Sequence, residues 1–253
     1  MIDQLVLIRG ILREARHWGK FTDILQQQYL DKAEILTPDI PGNGRLHDIT
    51  SPETIAGMVD ALRRQVPVSN QRTLIALSMG GMIAIDWMVR YPDEIKSAVL
   101  INTSARPFSP FYHRLRWANY LKILKIFFRS PYRKEADILA LTSNRYKCDS
   151  ELIESWRYWQ QQCPVSAVSA RNQFCAAAKF FVKTKPRQSI LIVASKADRL
   201  VDFRCSLALL EKLQSDFVLH DTAGHDLPLD EPEWLVNTIS QWSGKLLHAS
   251  KNA

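Results

Sequence analysis

Ser78, Asp198 and His225 occur in that order along 253 residues, each inside a short segment of small or turn-forming residues: Ala76-Leu-Ser-Met-Gly-Gly81, Ser195-Lys-Ala-Asp-Arg-Leu-Val201 and Thr222-Ala-Gly-His-Asp-Leu-Pro228. A serine hydroxyl is a poor nucleophile at neutral pH, so it needs a base and a third group that orients the base. An imidazole and a carboxylate are the residue types that meet those needs. The serine segment is the most informative of the three. Leu74 to Leu77 is a short apolar run that suits a buried strand, and after Ser78 the residues Met82, Ile85, Met88 and Val89 recur at helical spacing, which predicts an amphipathic helix. A strand that turns into a helix within one residue brings two backbones close together. The residues two before and two after the serine must therefore be small, and here they are Ala76 and Gly80. The usual pattern is G-x-S-x-G; this chain has A-x-S-x-G followed by a second glycine.

The flanking elements explain how three distant residues meet. Leu5 to Ile8, Ala33 to Leu36, Ser97 to Ile101, Ile190 to Ala194 and Phe217 to Leu219 are further strand candidates. Helical faces fall at Trp18 to Leu30, from Ser51-Pro52 to about Val66 with Ser51 as the capping residue, at Leu207 to Leu213 and from about Glu233 to Leu247. Strands alternating with helices at this spacing predict a mostly parallel sheet with helices on both faces. Asp198 and His225 then follow two later strands, on loops leaving the same sheet edge as Ser78.

The alternation stops between residues 105 and 185, which read as helices. This predicts an α/β core from residues 1–104 and 186–253 with a helical insertion over it. Leu121, Leu124 and Phe127/Phe128 form one face of that insertion; Trp156, Trp159, Phe174, Phe180 and Phe181 supply a second aromatic set. The net charge of +7 is concentrated there: residues 105–187 hold 16 Lys/Arg against 5 Asp/Glu, so the remainder is acidic.

With 46% hydrophobic and 23% charged residues the composition is that of a globular protein. No apolar run approaches the roughly 20 residues of a membrane span, and the N-terminus lacks the pattern of a signal peptide. Cys148, Cys163, Cys175 and Cys205 have no C-x-x-C spacing and read as reduced thiols. Together these predict a cytoplasmic protein without integral membrane association. No phosphate loop, dinucleotide fingerprint or metal-ligand spacing is present, so no cofactor, metal or nucleic acid is expected.

The elbow A-L-S-M-G-G, the loops S-K-A-D-R-L-V and A-G-H-D-L-P-L-D-E-P, and the early D-I-P-G-N-G resemble motifs of the α/β-hydrolase superfamily. The resemblance covers nearly all residues outside 105–185. It implies Ser78 as nucleophile, His225 as general base and then acid, and Asp198 as the carboxylate that holds the imidazole tautomer. It also implies an oxyanion hole from the backbone N–H groups of Met79 and Ile11. Relatives usually carry His-Gly where this chain has Arg9-Gly10, which places a cation able to meet an anionic substrate group. Asp202 is a rival carboxylate to Asp198, while Asn102, where some relatives have an acid, cannot carry the charge. His220 has no assigned catalytic role. A serine at the elbow argues against relatives that attack with aspartate.

The resemblance makes residues 105–185 a cap that roofs the site and selects substrate. Phe108, Phe111, Trp117 and Leu121 are candidates for an acyl pocket, with the cap's own core as the plainer reading. The basic excess has three readings: solvated helix faces, an acidic partner such as an acyl carrier protein or the phosphates of coenzyme A, or contact with anionic lipid headgroups. The expected activity is a serine hydrolase acting on a small-molecule or acyl ester, or on a thioester. Carbon–carbon bond hydrolysis by the same residues, and a non-catalytic ligand-binding member of the fold, are the alternatives.

Overall fold

A computed structural model describes residues 3–126 and 128–251; Phe127, assigned above to an apolar helix face, lies outside them. In chain order the elements are β1 (Asp3–Ile8), α1 (Lys20–Tyr29), β2 (Ala33–Leu36), α2 (Ile55–Arg63), β3 (Arg72–Leu77), α3 (Met79–Arg90) and β4 (Ile95–Ile101). Among the described residues five α-helices follow: α4 (Phe111–Arg114), α5 (Tyr120–Ile126), α6 (Pro131–Thr142), α7 (Ser150–Gln162) and α8 (Ala167–Lys179). The chain then returns through β5 (Ser189–Ser195), α9 (Arg204–Leu213), β6 (Asp216–His220), α10 (Leu227–Asp230) and α11 (Pro232–Lys251).

All strand pairs are parallel, in the order β2-β1-β3-β4-β5-β6. The inner strands are apolar at successive positions because both faces are covered. Val6, Ile8, Leu74, Ala76, Leu100 and Ile192 pack toward Met58 and Leu62 of α2, Ile83 and Trp87 of α3 and Leu209 of α9. The alternate residues Leu5, Leu7, Ile75, Leu77, Val99 and Leu191 pack toward Phe21 and Leu25 of α1 and Leu235 and Ile239 of α11. Burying side chains of this size contributes about 1.5–3 kcal/mol each.

The strand order reverses between β1 and β3, since the chain grows outward to β2 on one side and to β6 on the other. The C-terminal ends of these two strands therefore open onto a crevice, the usual ligand position in such sheets. The loops after β1, β3, β4, β5 and β6 all gather at this edge.

Two local expectations are corrected. Helix α2 is capped by Thr54, whose hydroxyl accepts from Gly57 N at 3.1 Å, and not by Ser51. Ser51 lies four residues before the first helical residue, where its N–H donates to Ser169 of α8 and its carbonyl accepts from Asn172. Helix α3 has the expected helical period but is buried almost all round, because it lies between the sheet, α2 and the segment after β4.

Candidate functional site

Ser78 occupies the single residue between β3 and α3, at φ 57°, ψ −118°. A non-glycine residue in that region is strained by about 1–3 kcal/mol, and its neighbours hold it there. Its N–H donates to Ile101 O at 2.9 Å, and its carbonyl accepts from Thr103 Oγ1 at 2.6 Å. Gly80 lets the start of α3 pack against the end of β1, since a Cβ there would lie 2.3 Å from the carbonyl oxygen of Ile8. Gly10 faces the serine directly; a Cβ would stand 3.2 Å from Ser78 Cβ and 3.7 Å from Ser78 Oγ. The loop after β1 and the β3–α3 turn are thus in contact, with Ile11 and Met79 flanking the contact.

Asp198 and His225 meet. Nδ1 of His225 lies 2.7 Å from Asp198 Oδ2, and both residues are buried. The second carboxylate oxygen accepts from Leu200 N at 2.7 Å and Val201 N at 3.0 Å, which fixes the carboxylate in one orientation. This arrangement favours the tautomer with the proton on Nδ1 and leaves Nε2 able to accept a proton. The rival Asp202 is engaged elsewhere. Arg204 binds it at 2.7 and 3.0 Å, and that charged bond, aided by the more distant Arg116, holds its carboxyl down to about 2.

Asn102 replaces charge with scaffolding. Its Oδ1 accepts from Ser195 N at 2.7 Å, and its Nδ2 donates to His225 O at 2.8 Å. Since Ser78 is bonded to Ile101 and His225 to Asn102, two consecutive residues of one strand end position both. Among the described residues no hydrogen bond joins Ser78 to His225; such contacts in uncomplexed sites are often long and tighten when substrate binds. His220 caps the turn after β6, its Nδ1 accepting from Ala223 N at 3.0 Å, with Trp234 edge-on to its ring.

Arg9 departs from the expectation of a cation free to meet substrate. Its guanidinium forms a buried fork on Asp226, at 2.6 and 3.1 Å, and lies over Trp18 with 4.9 Å to the ring centroid. The pair joins the residue before Gly10 to the residue after His225. Asp226 was the residue missed by sequence reasoning; a cation next to an apolar strand requires an acid, and the signal was an Asp adjacent to the histidine. Replacing Arg9 by Met is expected to lower stability by about 3–5 kcal/mol, because it strands a buried carboxylate. Arg9→Met/Asp226→Leu is expected to regain most of that loss, as read by urea unfolding.

The insertion clamps the two later loops. Asp230 accepts from Gly224 N at 2.7 Å, from Ser143 Oγ at 2.5 Å and from Asn144 N at 2.9 Å. Asn144 Nδ2 in turn donates to Ala197 O and Thr222 O. On the other side, Leu12 sits at φ 58° with its N–H donated to Gln173 Oε1 of α8 at 2.8 Å, and Gln173 donates to Asn43, which donates to Arg13 O. Arg13 pairs with Glu135 of α6 at 2.8 Å and stacks on Trp156 of α7. A cavity of about 190 Å³ remains between this loop and the insertion, lined by Leu12, Arg13, Glu135, Ile138, Val165 and Ala170.

His17 sits in the same cluster, edge-on to Trp156 and Trp159 and 3.2 Å from Arg13. Burial, then the charges of Arg13 and Arg9, push its pKa well below 6.5. The unfolded chain takes up a proton below about pH 6.5 that the folded chain refuses. Stability is therefore expected to fall with pH below that point by up to about 1.4 kcal/mol per unit. His17→Gln should flatten that part of a melting-temperature profile.

Residues 5–238 match the model of the alpha/beta hydrolase family. The chain belongs to that family. Among solved structures of α/β-hydrolase fold, a thermophilic esterase from Thermogutta terrifontis superposes with a TM-score of 0.74 at 22% identity, covering 96% of this chain and 90% of that one. A serine hydrolase from Cycloclasticus zankles gives 0.76 at 16% identity, covering 97% and 91%. By sequence, the biotin biosynthesis bifunctional protein BioHC of Teredinibacter turnerae is 26% identical over 94% of this chain and 44% of its own length. This α/β-hydrolase therefore spans less than half of that relative. Among the described residues no helix is long and apolar enough to cross a membrane, and no group of His, Cys, Asp and Glu could hold a metal ion.

Proposed function

We propose that this chain is a serine hydrolase that cleaves a carboxylic ester or a thioester through an acyl-enzyme. The observation that carries the proposal is the 2.7 Å bond between His225 and Asp198, on the sheet edge where Ser78 is held in a strained turn. In this reading Ser78 Oγ attacks the substrate carbonyl while His225 Nε2 takes the hydroxyl proton. The tetrahedral oxygen is received by the N–H groups of Met79 and Ile11, and Asp198 stabilises the imidazolium. Collapse expels the alcohol or thiol with the proton from His225, and water activated by His225 then releases the acid.

Residues 105–185 act as the cap, and Asn144, between α6 and α7, supports that role by donating to Ala197 and Thr222 of the loops that carry Asp198 and His225. Within this reading small or acyl-chain esters rank first and thioesters second. A thioester would bring coenzyme A or an acyl-carrier thiol as leaving group, which the basic insertion suits. Four free thiols support action in the cytoplasm. The test is labelling by a fluorophosphonate probe together with a burst of p-nitrophenol from short-chain esters. Labelling that survives Ser78→Ala, or no reaction from folded protein, rejects the proposal.

A further inference from the structure

Phe111, Trp117 and Leu121 were expected to line a pocket or to fill the core of the insertion. The structure does neither with them: they are 71%, 73% and 71% exposed, and Leu124 and Phe128 are exposed as well. Of the fifteen exposed large hydrophobic residues among those described, eight fall between Phe111 and Tyr132, so the apolar surface is concentrated on one stretch. That stretch is also basic. From Arg106 to Lys134 the chain has eight Lys/Arg and no Asp/Glu.

The cations and the apolar side chains share short segments. On α5, exposed Lys122 and Lys125 alternate with exposed Leu121 and Leu124, and Arg129 follows Phe128. Among the described residues Lys122 and Lys125 form no ion pair, while Arg129 reaches the exposed Asp137 at 3.3 Å. The segment is anchored to the core, since Arg116 N donates to Leu200 O at 2.9 Å and Asn119 Nδ2 to Arg199 O at 2.7 Å. It therefore stands beside the loop that carries Asp198.

An occupant of this face must be anionic outside and apolar just beneath. Solvent satisfies the cations and leaves the aromatic side chains uncovered, an arrangement uncommon on a monomer's surface. Trp, Tyr, Phe and Leu interleaved with Lys and Arg, with no acid, match the layered chemistry of an anionic bilayer boundary. We propose that the exposed face of residues 111–126, with Phe128 and Arg129, docks on an anionic lipid surface. The apolar side chains enter the headgroup boundary, and Lys122, Lys125 and Arg129 pair with lipid phosphates. The proposal does not rest on the hydrolase reading.

The test is co-sedimentation of the full chain with phosphatidylcholine vesicles with and without phosphatidylglycerol. Sedimentation is expected only with the anionic vesicles and should fall as salt is raised from about 0.1 M to about 1 M. Lys122→Glu/Lys125→Glu should weaken binding by about 25-fold or more, from roughly fivefold per charge near such a surface. Leu121→Asp/Leu124→Asp/Phe128→Asp should abolish it, with circular dichroism and melting temperature unchanged because all three side chains are exposed. A blue shift of tryptophan emission on vesicle addition should disappear in Trp117→Phe. Three results overturn the proposal: no sedimentation with anionic vesicles, binding indifferent to the apolar triple variant, or capture of an acidic acyl carrier protein by this face without vesicle binding.

Discussion

Ser78→Ala is expected to lower kcat for p-nitrophenyl esters by about 10⁶-fold, the scale of losing the nucleophile from such a site. Fold stability should be unchanged. Alanine keeps the Cβ, and the bonds that hold residue 78 in its strained conformation, to Ile101 O and from Thr103 Oγ1, involve only its backbone. A matched melting temperature with lost turnover would separate chemistry from folding. Residual hydrolysis above the water rate is expected from the N–H groups of Met79 and Ile11, which the substitution leaves in place. Full retained activity would place the nucleophile elsewhere and end the proposal.

Asp198→Asn is expected to cost about 10⁴-fold in kcat with KM little changed, because an amide there can hold the imidazole in the wrong tautomer and cannot stabilise the imidazolium. Asp202→Asn is the control. Its carboxylate is four residues downstream and equally buried, yet bound by Arg204, so its loss should leave kcat within about threefold. Asp202 should register in stability instead. Its pKa of about 2, against 3.8 unperturbed, stabilises the fold above about pH 4, and that contribution fades as pH falls toward 2. Kinetics and acid unfolding of the two variants should thus show opposite patterns. Equal loss of kcat in both would mean that the carboxylate assignment is wrong.

The legible parts of the chain are those governed by neighbours in sequence. The strands after which Ser78, Asp198 and His225 fall were readable because apolar runs of three to five residues bounded by turns have few other folded solutions. Their ends extend one or two residues beyond the apolar stretch, as at Arg72 and Ser189, where the ladder continues through residues the pattern does not mark. The small residues around Ser78 were readable from the motif, although the backbone that Gly80 must clear belongs to β1, with Ile8 O at 2.3 Å from an added Cβ.

What escaped was decided over long separations. Ser51 has the residue type of a helix cap, but its backbone is held by α8 and the helix begins only at Ile55, so Thr54 takes that role. Phe111, Trp117 and Leu121 have the composition of a core, but burial depends on which surfaces the insertion meets. The helices α6 and α7 found their own cluster around Leu139, Ile153 and Trp156 and left that face uncovered.

The sequence by itself determined the sheet architecture, the chain order of the three candidate catalytic residues and their placement after strands, since periodicity and turn chemistry act within a few residues. The tertiary structure alone decided which charges are free. Arg9 is neutralised by an acid 217 residues away, and Asp202 rather than Asp198 is taken by arginine. Among the described residues Lys122 and Lys125 form no ion pair and stand among exposed apolar side chains. Coulombic pairing and burial are set by distance in space, and no local pattern encodes that distance.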